Sequence, residues 1–299
     1  MGKQYLITGG EGFIGRNLRE HLRKLGNDSK TLDIAGKPDY KVSVTNFNEL
    51  LNIKEDFDGI FHLAATTSPP QFEDDPLSGF QVNANGTLNI LEFAKRKGIR
   101  KVVLASSSAT YGNSKSISVE DKLPDRYSNL CPITKVLNEH LARYYSLRGE
   151  IECVSLRYFN TYGPGENSKS QYASVVWRFI KSIYNNETPL IYGDGEQKRD
   201  FIYVDDNARG TSLAMDKGIP GESYNIGSGT SITFNEIYKM VKEEMRSQVE
   251  AHHIPNPLKS YQYFTQADIS KAKKDLDFIP EYDLRKGIRK MLDYDIKSI

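Results

Sequence analysis

The chain has 299 residues, with 40 Lys and Arg against 39 Asp and Glu, so it is long enough to bury a sizeable core and carries no marked charge excess. That balance speaks against a polyanion or a membrane surface as the main partner, nucleic acid included. No apolar run approaches the roughly eighteen residues of a membrane span and no signal segment precedes the first strand, which leads us to expect a cytoplasmic protein. Cys131 and Cys153 lack metal-site spacing and fit a reduced compartment.

The pattern opens with a short apolar strand, Gln4–Thr8, that empties into Gly9-Gly10-Glu11-Gly12 and restarts as a helix at Phe13. Gly10, Gly12 and Gly15 satisfy G-x-G-x-x-G, and Gly9, Gly12 and Gly15 satisfy G-x-x-G-x-x-G. Glycine lets a pyrophosphate approach main-chain N–H groups, and the helix start turns its partial positive charge toward the phosphates. A glycine triplet alone could be an ordinary turn. Here an amphipathic stretch (Phe13, Ile14, Leu18, Leu22, Leu25) follows, and then a second strand, Lys30–Asp33, that ends in a carboxylate at about the twenty-residue offset of a dinucleotide site. Asp33 would accept from the adenosine ribose hydroxyls and repel a 2′-phosphate, favouring NAD over NADP, although Lys37 lies nearby.

Further strands are expected at Gly59–Leu63, Lys101–Ser106 and Glu152–Tyr158, alternating with helices over Gly86–Lys97 and Thr134–Leu147 that end at Gly98 and Gly149. Such alternation implies a doubly wound parallel α/β sheet. Residues 1–164 read as a dinucleotide-binding Rossmann domain, rejoined by about 201–217 through a return to the main sheet around Phe201–Met215. Residues 165–299 read as a smaller α/β substrate-binding region, with helices at Ser174–Tyr184, Asp205–Met215, Phe234–Met245 and Leu284–Leu292.

Ligands in open α/β sheets bind where strands release their carboxyl ends. The strand Lys101–Ser106 releases three serines there, Ser106, Ser107 and Ser108, which by themselves read as a polar turn. Lys135, on the next helix, changes that reading, because its ammonium could reach both a cofactor ribose and a group being deprotonated. His62 reads as packed at a strand end and Cys153 as a small buried hydrophobe. Asn83 suits bracing backbone near the cofactor better than touching substrate.

With the glycine loop, Phe61–Ala65, Asn83–Thr87, Ser106–Gly112, Leu156–Pro164 and Gly193–Asp205 in view, nearly the whole chain resembles the extended short-chain dehydrogenase/reductases. The branch is the NAD-dependent epimerases and dehydratases of nucleotide sugars. The resemblance implies a Rossmann fold that binds NAD through Gly9, Gly12, Phe13, Ile14, Gly15, Asp33, Leu63, Ala64, Ala65, Lys135 and Tyr158. It implies a sugar-nucleotide substrate held by Ser107, Ser108, Asn160 and Arg199, and a homodimer formed by the helices around Leu88–Lys97 and Lys135–Leu147. Asn160 read alone is a cap residue and Arg199 a surface arginine whose guanidinium suits phosphate oxygens. The family often carries a further arginine about nine residues before an Ala-Asp pair. Before Ala267-Asp268 this chain has Leu258 and Lys259, which implies weaker or rearranged diphosphate binding.

Ser107 matches the family's catalytic serine or threonine, and Lys135 the lysine that lowers the pKa of a tyrosine base. That tyrosine should stand four residues before the lysine, where this chain has Cys131; Tyr127, eight before, is out of helical register. Three readings of Cys131 stay open: a thiolate base, direct or through a water; a spectator with the proton taken elsewhere; or a change that abolishes the usual activity. Lys169 is a candidate replacement base, since Glu166–Val176 and Ser260–Asp268 resemble ADP-glyceromanno-heptose 6-epimerases, in which a matching lysine is a second base. It could equally be a loop lysine that meets phosphate or water. Ser108 and Ala109 stand where dehydratases and decarboxylases place acids, so elimination is disfavoured. The resemblance points to a UDP-hexose 4-epimerase working through a transient keto-sugar and bound NAD. The alternatives are a nucleotide-heptose 6-epimerase, or a non-catalytic NAD or sugar-nucleotide binding protein.

Overall fold

The computed structural model describes residues 2–67, 69–257 and 261–295, so Leu258 and Lys259 lie outside the described residues. β1 (Gln4–Thr8) begins the central sheet and is followed by helix α1 (Phe13–Lys24), β2 (Asp28–Leu32) and β3 (Gly59–His62). Then come α2 (Gly86–Lys97), β4 (Lys101–Ser107), α3 (Leu130–Leu147), β5 (Glu152–Tyr158), α4 (Val204–Lys217) and β6 (Ser223–Ile226). The six strands pair in parallel in the order β6-β5-β4-β3-β1-β2. The chain leaves β1 toward β2 and then crosses to β3 on the other side of β1, which opens a crevice at the carboxyl ends of β1 and β3.

Alternate residues of each strand feed two cores, as the two-residue pleat requires. On one face Leu6, Ile60, Val102 and Leu104 pack with Ile90, Leu91 and Phe93 of α2 and Ala142 and Tyr145 of α3. On the other Ile7, Phe61, Val103 and Leu156 pack with Leu18 and Leu22 of α1 and Ala208 and Met215 of α4. A third cluster lies outside the sheet, where Trp177, Phe179, Ile237, Val241, Ile288 and Met291 gather from helices Val175–Tyr184, Phe234–Glu244 and Leu284–Asp295.

The return to the sheet divides in two. Phe201–Tyr203 pairs with Asn160–Tyr162 apart from the main sheet, α4 packs on the sheet, and the added strand is β6, at 223–226. Four residues, Ser-Tyr-Asn-Ile, are too few and too polar to announce a buried strand by periodicity. α3 begins at Leu130, four residues before the expected Thr134, because the Asn129 side chain caps the Cys131 N–H and Pro132 is tolerated in a first turn. Cys131 and Lys135 therefore share one helix face.

Candidate active site at the carboxyl edge of the sheet

Behind β1 the glycine loop is held close to its neighbours. Gly9 has φ +68°, and a Cβ there would stand 2.7 Å from the Ala64 nitrogen. A Cβ on Gly15 would stand 2.4 Å from the Gly9 carbonyl oxygen, so neither position admits a side chain without moving backbone. Helix α1 then starts with no side-chain cap and no acid in its first turn, leaving its N-terminal dipole open to a ligand. Just beyond β2, the Asp33 carboxylate accepts from the N–H groups of Glu11, Ile34 and Ala35, which fixes it beside the loop.

One cavity of about 550 Å³ runs along these strand ends. Gly9, Gly12, Phe13, Ile14, Gly15 and Asp33 line it at one end. Leu63, Ala64 and Ala65 after β3, Ser107 at the end of β4, and Tyr158 of β5 continue the wall, to which Cys131, Lys135 and Lys169 also contribute. Ser107 caps the short 3₁₀ turn Ser108–Tyr111, its Oγ accepting from Ala109 N–H at 3.1 Å. Lys135 is buried and its Nζ donates to the Ala105 carbonyl at 2.8 Å; burial pulls its pKa below the ordinary lysine value, with Cys131 and Glu139 opposing. The Cys131 thiol is buried too, 3.8 Å from the Thr67 carbonyl, and burial pushes its pKa up against the smaller pull of Lys135. Burial thus favours the neutral thiol over the thiolate.

Polar side chains behind the wall fix these groups. His62 is buried between Thr8 Oγ1 (2.7 Å) and Thr87 Oγ1 (3.0 Å), and burial pushes its pKa down to about 3. Since Thr87 donates to the Asn83 carbonyl, its hydroxyl accepts from His62 Nε2–H, and the ring is neutral. The Asn83 amide clasps the Thr66 backbone in both directions and donates to Thr134 Oγ1, tying the loop after β3 to α3. Below Ser107, Arg157 and Glu139 form a buried bidentate pair (2.9 and 2.6 Å), and Ser106 Oγ donates to the same carboxylate.

Residues 5–227 match the NAD dependent epimerase/dehydratase family. The chain belongs to that family. It is 32% identical over 302 residues, 97% of each chain, to a putative UDP-glucose 4-epimerase of Methanocaldococcus jannaschii. It is 32% identical over 317 residues, 98% of each, to a UDP-N-acetyl-alpha-D-glucosaminuronate decarboxylase of Bacillus cytotoxicus. Among solved structures, the Thermus thermophilus UDP-glucose 4-epimerase in complex with NAD superposes with a TM-score of 0.89 at 26% identity, covering 99% of this chain and 100% of that one.

As in the rest of the epimerase/dehydratase family, the cofactor is NAD. The glycine cradle that any Cβ would fill, the uncapped start of α1 and the Asp33 carboxylate fit a diphosphate flanked by an adenosine ribose.

Three substrate residues expected from the family pattern stand outside the cavity lining. Ser108 is buried in the 3₁₀ turn. Asn160 Nδ2 donates to the Asp200 carbonyl at 2.8 Å and to Thr265 Oγ1 at 3.3 Å, so its amide N–H groups serve the fold. Arg199 is buried rather than on the surface, over the rings of Tyr261 (5.0 Å) and Phe234 (6.0 Å), and donates to the Lys198 carbonyl. Burial lowers its pKa to about 10. Tyr127, the out-of-register tyrosine, donates to the Thr110 carbonyl and does not line the cavity.

Sequence reasoning passed over Arg157, Glu139 and Glu166. Arg157 in a strand of otherwise apolar character was the available signal, since a buried cation demands a buried acid.

Proposed function

We propose that this enzyme is a nucleotide-sugar epimerase, acting at carbon 4 of a UDP-hexose through a transient keto-sugar. The observation that carries the reading is the single cavity that joins the dinucleotide loop to Ser107 and Lys135 with Asp33, at the far end, as its one acidic lining residue among the described residues. Elimination or decarboxylation beside a ketone uses an acid/base pair near the sugar; Ser108 and Ala109 offer none.

NAD, when bound, would supply the acceptor and donor for the sugar's carbon-4 hydride. Ser107 Oγ would hydrogen-bond the sugar hydroxyl being oxidised and pass its proton to solvent water, from which it returns when the ketone is reduced, while the Lys135 ammonium would hold the nicotinamide ribose and favour that proton's departure. Gly9–Gly15, Asp33, Leu63–Ala65 and Tyr158 hold the cofactor. Arg199, a buried guanidinium with no carboxylate paired to it among the described residues, recognises the substrate diphosphate. Ser108 and Asn160 shape the sugar site from behind it. Residues 1–164 with 201–217 carry most of the cofactor site, and the rest of 165–299 chiefly the substrate.

The enzyme works as a homodimer. α3 exposes Leu130, Ile133, Leu137 and Tyr144 along one stripe, and α2 exposes Leu88 beside it, an apolar face that a second copy would cover.

A second reading, 6-epimerisation of an ADP-linked heptose, draws on the presence of Lys169 in the cavity wall. One experiment divides the readings. The protein is incubated with NAD and a panel of UDP-, ADP- and dTDP-sugars, and epimers are followed by NMR beside Cys131→Tyr. Interconversion of UDP-glucose and UDP-galactose by the parent is expected. Epimers only from ADP-heptose would select the second reading, and NAD binding with no turnover of any sugar would make this a binding protein.

A further inference from the structure

Lys169 lies on the 3₁₀ segment Glu166–Tyr172, which follows the strand Asn160–Tyr162 and leads into the helix Val175–Tyr184. Glu166 is fully buried. Its carboxylate accepts from the Ser174 N–H at 2.9 Å and the Ser174 hydroxyl at 2.6 Å, so it is anchored at the start of that helix independently of the lysine. The same carboxylate takes Lys169 Nζ at 2.9 Å. Nζ then sits 3.5 Å from the Thr161 carbonyl and 4.0 Å above the ring centroid of Phe13, the first residue of α1.

Paired in this way, the Lys169 ammonium is held in place by a buried anchor. It also stands beside the uncapped start of α1, whose dipole contributes roughly half a positive charge. Glu166 offsets only one of these two positive features, and an ammonium has three donors, of which Glu166 and Thr161 occupy two. What remains is one free N–H and the partial positive charge of the helix start, which suit an oxygen of a diphosphate lying at the N-terminus of α1.

We propose that Lys169, positioned by Glu166, is a cofactor-holding residue that clasps the NAD diphosphate beside the start of α1. It thereby links the segment after β5 to the start of α1 and slows cofactor release. The inference rests on the NAD site and not on which sugar is turned over, so its failure leaves the epimerase reading standing.

The test measures dissociation constants by calorimetry for NAD, for ADP-ribose, which keeps the diphosphate but lacks nicotinamide, and for AMP, which lacks the diphosphate. Lys169→Met should weaken NAD and ADP-ribose alike, by about tenfold, and leave AMP unchanged, with Lys169→Arg retaining most of the affinity. Glu166→Gln, which frees the ammonium from its anchor, should give a smaller loss with the same ligand pattern and faster NAD release. Unchanged NAD and ADP-ribose binding in Lys169→Met would overturn the proposal. A loss confined to NAD would overturn it too, placing the lysine at the nicotinamide end. Lys169 is partly exposed, and a thermal melt matching the parent's confirms that the variant is folded.

Discussion

Cys131 and Lys135 stand one helical turn apart on the face of α3 that borders the cavity, so the chain keeps the spacing of the family's base and lysine with a thiol in place of a phenol. Two features of the thiol argue that it is a spectator. Burial holds it protonated, and its Sγ is directed to the Thr67 carbonyl. Cys131→Ala is therefore expected to keep kcat within about threefold of the parent from pH 6 to 9, as judged by the NMR assay. A fall of 10² or more, larger at high pH than at low, would assign the thiolate as base. The presence of a cysteine at this position was legible in the sequence, but its protonation was not. That depends on how much water the loop after β3 excludes, which is a property of the folded packing.

At the scale of elements, the strand ends matter because they are tied from behind. The Arg157–Glu139 pair joins β5 to α3 beneath Ser107, with the Tyr111 hydroxyl and the Glu120 carbonyl accepting from the two N–H groups of Nη1. Arg157→Met would leave the Glu139 carboxylate buried without its partner, and about 3–5 kcal/mol of stability should be lost in urea unfolding. Arg157→Met with Glu139→Met should recover a large part of that loss, because replacing both charges removes the orphan. The strand and helix pattern up to β5 was readable because each element is long, periodic and punctuated by glycine. β6 was not, since four half-polar residues acquire their strand character only by docking against β5. The start of α3 depended on a cap, and Asn129 became a helix signal only once the Cys131 N–H lay within its reach.

For the whole molecule, the apolar stripe of α3 beside α2 predicts the assembly state. Leu137→Glu, at a position already 37% exposed, should spare the fold and shift the protein from dimer to monomer in light scattering after size-exclusion chromatography. A parent that is monomeric at micromolar concentration would refute the dimer. The sequence by itself determined the alternating α/β order, the glycine loop with Asp33 that marks NAD, and the place of Ser107, Lys135 and Cys131, because each is written in local spacing or in a contiguous motif. The tertiary structure alone decided that Lys169 packs over the Phe13 ring and that Arg199 is buried between aromatic rings. It alone decided that Glu139 pairs with Arg157 and that Cys131 is dry. These facts join residues distant in sequence or turn on exclusion of water, and chain spacing encodes neither.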